Sequence, residues 1–286
     1  MQHCTHRGSG NTSVKVVVLG MHRSGTSLAC GLLNLCGVYF GEEDDLIQTN
    51  EENPKGFWER KDIRRLNDML LHQMDCDWSE ITALHQKTIP GGILDNFTAE
   101  ASAIIGKLEQ DSPTGVIGMK EPRFCLLTPY WNSIFNEKDF FLLVHRDPEE
   151  IAISLENRNG IPTEVSHYLT ERYLEQAINE IRNRQHLVVS FRDLIEKPVQ
   201  AVQKIIDAIH GTGQSLGTPD SKQLAEYSNP ELYRSRAGKQ VLPISDRLQQ
   251  IYDCLHEGEL PRVSSVETRI PRQVLTYQHT KRFQEY

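Results

Sequence analysis

Gly20-Met21-His22-Arg23-Ser24-Gly25-Thr26-Ser27 is the segment of this chain best suited to hold an anion. It follows a β-branched apolar run and leads into an apolar stretch at 28–35 that reads as a helix. A strand that turns through glycine into a helix N-terminus aims backbone N–H groups and the positive end of the helix dipole at one spot. Gly25 lets the backbone approach a phosphate closely, and Thr26 and Ser27 add hydroxyl donors. The spacing is close to the nucleotide-binding pattern G-x4-G-K-[ST], but Thr26 stands where that pattern needs lysine. The cation comes earlier, at Arg23. That arrangement suits a terminal diphosphate-like group better than a magnesium-bound nucleoside triphosphate. The competing reading is a plain strand–turn–helix with Ser/Thr capping.

A second candidate anion site lies at His145-Arg146-Asp147-Pro148-Glu149-Glu150. Asp147 is a good N-cap, Pro148 suits the first helical position, and Glu150 completes a capping box. Arg146 therefore falls at the carboxyl end of a strand, where α/β sheets bind ligands. Ser154 and Arg158 follow in the helix. An arginine fork with a hydroxyl makes a reasonable phosphate pair, although an arginine beside a capping aspartate also reads as a surface ion pair.

Together the two sites resemble the sulfotransferase family that uses 3′-phosphoadenosine 5′-phosphosulfate (PAPS). His22 to Ser27 is similar to that family's 5′-phosphosulfate loop in its [K/R]-S-G-T-[T/S] form. The stretch 144–155 (VHRDPEEIAISL) is similar to its 3′-phosphate motif, and 190–198 (SFRDLIEKP) to its Y-E-D-L…P segment. Phe191 there replaces a tyrosine, keeping a ring face for adenine and losing a hydroxyl. Residues 53–59 (NPKGFWE) and 118–123 (GMKEPR) look like stretches of bacterial-type members. Order and spacing agree over 14–209, about two-thirds of the chain. The family's C-terminal Gly-x-x-Gly-x-Trp-Lys loop is absent. Arg234, Arg236 and Lys239 stand near that point, as a replacement or as a solvated basic turn.

The resemblance implies PAPS as co-substrate, held by Arg23, Ser24, Gly25, Thr26, Ser27, Arg146, Ser154 and Phe191, with no metal required. The reaction would be in-line sulfuryl transfer to a hydroxyl or amine of a small-molecule or carbohydrate acceptor. Positioning and electrostatics carry most of such a reaction, as in phosphoryl transfer. Arg23 would neutralise the leaving phosphate. Lys120, at a strand end, would reach the sulfonate or the bridging oxygen, or else it snorkels to solvent. The general base is Glu59 or Glu43, with His145 and His22 behind them, because geometry rather than residue type decides it. Glu42 to Asp45 also read as a solvated acidic turn, and both histidines as structural donors. Trp78, Trp131, Tyr168 and Tyr173 read as core. The competing functions are a P-loop nucleoside or nucleotide kinase and a nucleotide-binding module without turnover.

The elements that must position these residues are legible as periodicities. Apolar runs at 14–19, 116–119, 140–144 and 187–191 are nearly continuous, as in strands of a parallel sheet buried on both faces. Helical spacing runs through 61–74, 164–184 and 198–209, and the last of these places Val199, Val202, Ile205, Ile206 and Ile209 on one side. The long pattern sets Tyr168, Arg172, Glu175, Ile178 and Arg182 on one side. Strand, helix, strand, repeated, predicts an α/β fold with right-handed crossovers. In the terms of the resemblance it is a three-layer, P-loop-like fold with a central, mostly parallel sheet flanked by helices. We expect one domain over 14–260, tails at 1–13 and 261–286, and a loop at 211–218.

The chain has 286 residues, enough for a sizeable core. Lys plus Arg number 31 against 39 Asp plus Glu, a formal charge of −8. Such a balance disfavours general nucleic-acid binding and a polyanionic acceptor, so any bound anion needs a local pocket. Six scattered cysteines without C-x-x-C or zinc spacing read as reduced thiols. With no apolar leader and no membrane-length run, the expected setting is the cytoplasm.

Overall fold

A computed structural model describes residues 13–49, 53, 55–230, 243–263 and 270–284. The four apolar runs are strands: β1 (Val14–Leu19), β2 (Val116–Lys120), β3 (Phe140–His145) and β4 (Gln185–Ser190). They form one sheet in the order β2-β1-β3-β4, and every neighbouring pair is parallel. β1, β2 and β3 are buried at every residue, which is why their sequences are apolar except at Lys15, Lys120 and His145. β4 lies at the edge, and the first three residues of it are partly exposed.

Successive strand residues serve opposite layers. Val17, Leu19, Met119, Phe141 and Leu143 pack beneath α2 (Lys61–Gln73), α3 (Gly91–Asp111), α4 (Phe124–Trp131), α5 (Pro148–Asn159), α6 (Thr163–Ile181) and α10 (Asp246–His256). Val16, Val18, Leu142 and Val144 pack beneath α1 (Thr26–Leu35), α7 (Phe191–Glu196), α8 (Pro198–His210) and α9 (Ser221–Tyr227). The three-layer expectation holds.

The chain leaves β1 toward β2 on one side of the sheet and leaves β3 toward β4 on the other. The carboxyl ends of β1 and β3 therefore flank a topological switch point, the place where open α/β sheets bind ligands.

One sequence reading needs correction, and two helices need a fuller description. Residues 272–284, expected within a tail, form α11 (Arg272–Gln284), and Val274 on it is fully buried in the same core as α6. Helix α6 is buried on most sides: Tyr168, Glu175 and Ile178 of the expected side are buried together with Val165, Leu169, Tyr173, Ala177 and Ile181. Arg172 and Arg182 of the expected face stay half-exposed. Helix α3 is an addition: Phe97, Ala101, Ile105 and Leu108 repeat at helical spacing, and the helix opens on Gly91 and Gly92 and runs unbroken through Gly106, glycines that mask it in the sequence.

Cys30, Cys36, Cys76, Cys125 and Cys254 are free thiols, and Cys4 lies outside the described residues. No described helix is long and apolar enough to cross a membrane.

Candidate active site

The loop after β1 is shaped by two residues in left-handed backbone. Gly25 has φ +98, and a Cβ there would lie 2.3 Å from the Phe191 ring, so only glycine fits. Arg23 has φ +69, an uncommon conformation for a side-chain-bearing residue and one concentrated at functional sites. Helix α1 starts at Thr26 with Gly25 as its N-cap. No side chain caps it, and its first turn carries no acid. The N–H groups of that turn are thus left to a ligand. Ser24 is fully buried, and its hydroxyl faces Gly20 beneath the loop rather than the cavity above.

Arg146 follows β3 directly. The Asp147 side chain accepts from the Glu149 N–H at 2.9 Å and starts α5, as the sequence predicts. The two expected anion sites then meet. Arg23 Nε donates to Ser154 Oγ at 2.8 Å, and Arg146 Nη1 donates to the Arg23 carbonyl at 3.2 Å. Arg146 Nε pairs with Glu150 at 3.0 Å, and its guanidinium lies 4.5 Å from the centre of the Phe191 ring. Phe191 enters α7 just after Ser190, whose hydroxyl caps that helix through the Asp193 N–H at 3.0 Å. Wedged between Gly25 and Arg146, Phe191 forms a cavity wall and is largely buried.

Lys120, the last residue of β2, does not snorkel. Its side chain is buried, and Nζ donates to Glu59 Oε1 at 2.5 Å, to the Phe57 carbonyl at 3.0 Å and to Ser27 Oγ at 3.3 Å. One ammonium thus joins the anion loop to the segment bearing Glu59. That segment is fixed from outside: the Ile47 N–H donates to the Glu59 carbonyl at 2.8 Å, and Trp58 packs edge-on against Phe40. Lys55 donates to the Tyr227 carbonyl at 2.5 Å and to the Glu226 carbonyl at 3.3 Å, tying the segment to α9. Burial lowers the Lys55 pKa.

Behind β2 runs a buried polar chain. Asn67 of α2 accepts from the Trp131 indole at 2.8 Å and donates to Glu121 at 2.6 Å; Glu121 is also paired with Arg123. Burial raises the Glu121 pKa, opposed by the Arg123 charge. Arg123 Nε reaches Asp68 at 2.9 Å.

Two cavities adjoin. The first is lined by Arg23, Lys55, Lys120, Arg146 and Arg158 against a single carboxylate, Glu59, among the described residues. Gly25, Thr26, Ser27, Ser154, Phe191 and Tyr227 complete its walls. The second shares His22, Arg23, Phe57, Glu59 and Arg158 with it. Glu59 and His22 thus stand where the two spaces meet. His22 Nε2 is buried without a hydrogen-bond partner among the described residues. Burial, reinforced by the Arg123 and Lys120 charges, holds its pKa well below 6.5, so the ring is neutral at pH 7.

Glu43 is not brought here. It is exposed in a short 3-10 turn, Glu43–Asp45, and touches neither cavity. His145 is also elsewhere, in a small cleft with Tyr252 and His256, its pKa lowered to about 4 by burial. Trp131, Tyr168 and Tyr173 are core as expected. Trp78 is half-buried, lies 4.5 Å from the His22 ring, and lines the second cavity. Lys55 lies in the 53–59 stretch that the sequence marks, though without a role of its own, and Tyr227 carries no sequence signal, because only the fold brings α9 to the site. Arg234, Arg236 and Lys239 lie outside the described residues.

No family model matches the sequence, and no curated protein does. Among solved structures, the sulfotransferase domain of the Synechococcus PCC 7002 olefin synthase superposes with a TM-score of 0.51 at 13% identity, over 98% of both chains. The sulfotransferase domain from the curacin biosynthetic pathway gives 0.47 at 12% identity, over 87% of this chain and 99% of that one. Retinol dehydratase in complex with androsterone and the inactive cofactor PAP gives 0.34 at 15%, over 76% and 65%. At these identities the likeness is one of architecture: this chain has a sulfotransferase-type fold.

Proposed function

We propose that the protein is a PAPS-dependent sulfotransferase acting on a hydroxyl or amine of a small acceptor. The observation that carries the reading is the cross-link at the switch point, where Arg23, Ser154 and Arg146 from two strand ends converge beside the open N-terminus of α1. The residues present fit such a donor. Five lining cations face one lining carboxylate, and the loop offers N–H groups that no side chain has taken.

PAPS supplies an activated sulfuryl group. The N-terminus of α1, with Thr26 and Ser27, holds its 5′ end. Arg146 and Ser154 hold the 3′-phosphate, with Phe191 as the wall nearest the base. Glu59 takes the proton from the acceptor while the acceptor oxygen or nitrogen bonds to sulfur. The bond from sulfur to the bridging oxygen breaks, and its electron pair stays on the departing phosphate. Lys120 and Arg23 neutralise that charge as it develops. Lys120 already touches both Ser27 and Glu59, so the base and the charge-neutralising group are positioned together.

The test is a thermal shift with 3′-phosphoadenosine 5′-phosphate (PAP) against ATP–Mg, since a ligand of the native state raises the midpoint by mass action. Stabilisation by PAP, lost in Arg23→Ala and Arg146→Ala, is the expected result. Stabilisation by ATP–Mg alone would replace this reading with the kinase. PAP binding without sulfuryl transfer to any acceptor would leave a nucleotide-binding module.

A further inference from the structure

We infer that Trp78 is a specificity-determining residue: its indole is the wall on which an aromatic ring of the acceptor stacks, and the C-terminal helix α11 positions it. Calling the ligand an acceptor rests on the proposed function; the ring preference rests on the second cavity and what backs it. Trp78 lines that cavity and not the first, whereas Glu59 lines both. Ile47, Phe57 and Leu155 share the wall of the second cavity with the indole. A ring seated against these side chains occupies the space that the proposed base borders.

Trp78 lies in irregular chain between α2 and α3, yet its backbone is pinned on both sides. The Tyr173 hydroxyl of α6 donates to the Trp78 carbonyl at 2.6 Å. The Asp77 carboxylate accepts from the Ser79 and Glu80 N–H groups at 2.6 and 2.8 Å, which closes a turn around Trp78. Helix α11 completes the hold. Lys281 pairs with Asp77 and donates to Ser79 Oγ at 3.0 Å. The buried Gln278 donates to the Ser79 carbonyl at 3.4 Å and accepts from the Thr82 hydroxyl at 2.5 Å. No described residue of α11 lines either cavity, so its part is positioning. The indole itself packs partly on the core, with the His22 ring centre 4.5 Å away, and the rest of it is left to the cavity. A ring that stacks on a face already fixed in this way costs little side-chain freedom, and ring pairs attract beyond the area they bury.

Two probes with one carbon skeleton and the same primary alcohol test this: 2-naphthalenemethanol, which is flat and aromatic, and decahydro-2-naphthalenemethanol, which is neither. Their binding is titrated by calorimetry on the free protein and on the PAP-saturated protein, with PAP affinity measured on the same samples. The aromatic alcohol is expected to bind about 2- to 12-fold tighter, the fold-change that matches one ring pair. Trp78→Ala should remove that preference and Trp78→Phe should keep most of it, with PAP affinity unchanged in both. Lys281→Met should lose part of the preference and leave PAP affinity as it was. Equal binding of the two probes, a preference that survives in Trp78→Ala, or binding abolished by saturating PAP would overturn the inference while leaving the sulfotransferase reading intact. An unaltered preference in Lys281→Met would overturn the part given to α11. Failure of PAP itself to bind would overturn the sulfotransferase reading instead, and the ring preference would then be decided by Trp78→Ala on the free protein.

Discussion

The proposed donor side and the proposed acceptor side of this site differ in how their residues are held. On the donor side, Arg23 and Gly25 lie in the loop that leaves β1, Arg146 directly follows β3 and Ser154 sits on the next helix, so two strand ends and the chain that continues them set their places. On the acceptor side, Glu59, Arg64, Trp78, Arg123 and Arg158 come from separate stretches of the chain and are gathered by side-chain contacts such as Lys120–Glu59 and Arg123–Asp68. On the proposed reading, anion binding is set by local geometry, whereas acceptor binding and proton removal depend on tertiary packing, and Lys120 touches both sides.

The largest effect expected is that of Glu59→Gln. If the sides are separable, kcat falls by roughly 10²–10⁴, the usual worth of a general base, while PAP affinity is unchanged. An equal loss of PAP affinity would show the sides to be one unit. Next come Arg23→Ala and Arg146→Ala, which should each weaken PAP binding by about 10- to 100-fold, since a hydrogen bond to a charged group contributes roughly 1.5–3 kcal/mol. Calorimetry measures this directly, and a similar loss from Glu59→Gln would erase the distinction.

Gly25→Ala probes how tightly the donor side is built. The new methyl meets the Phe191 ring in a strained backbone conformation, and overpacking of this kind costs about 1–3 kcal/mol. Denaturant unfolding should show partial recovery when Phe191→Ala is added, because the clash is relieved and the strain is not.

The pH dependence is smaller near neutrality. His145 has its pKa lowered to about 4 in the folded protein. Below about 6.5 the unfolded chain binds a proton that the folded chain refuses, so stability falls as pH drops from there toward 4. The cost is about 1 kcal/mol at pH 5.5 by that linkage, and His145→Asn should flatten the unfolding profile over this window. Last, Glu43→Gln should alter kcat by less than about twofold, as exposed substitutions away from a site do. A large loss there would move the base to the turn that the fold holds apart.

The same contrast explains what the sequence reveals. Buried parallel strands write themselves as continuous apolar runs, so β1 is read at its observed ends and β2 and β3 within one residue. Loops that end strands and start helices carry their caps and glycines in order, so Arg23, Gly25, Arg146 and Ser154 are legible together. Glu59 and Glu43 both read as candidate bases in the sequence; in the fold, burial, the two cavity walls and the bond from Lys120 separate them. Ser24 fits its motif by type, yet its hydroxyl turns inward beneath the loop. Tyr227 reaches the site through a contact with Lys55, 172 residues away, which no local pattern records.

Helix α2 divides the protein's capacity to change. Its inward-facing Asn67 is fully buried and satisfies both the Trp131 indole and the Glu121 carboxylate, so a substitution there strands two buried polar groups at once. Arg64, one turn earlier on the same helix, is exposed toward the second cavity and touches neither. A substitution at Arg64 therefore changes the wall of that cavity, while Asn67 keeps the buried polar chain beside Lys120. Surface variation and scaffold integrity fall on different sides of a single helix.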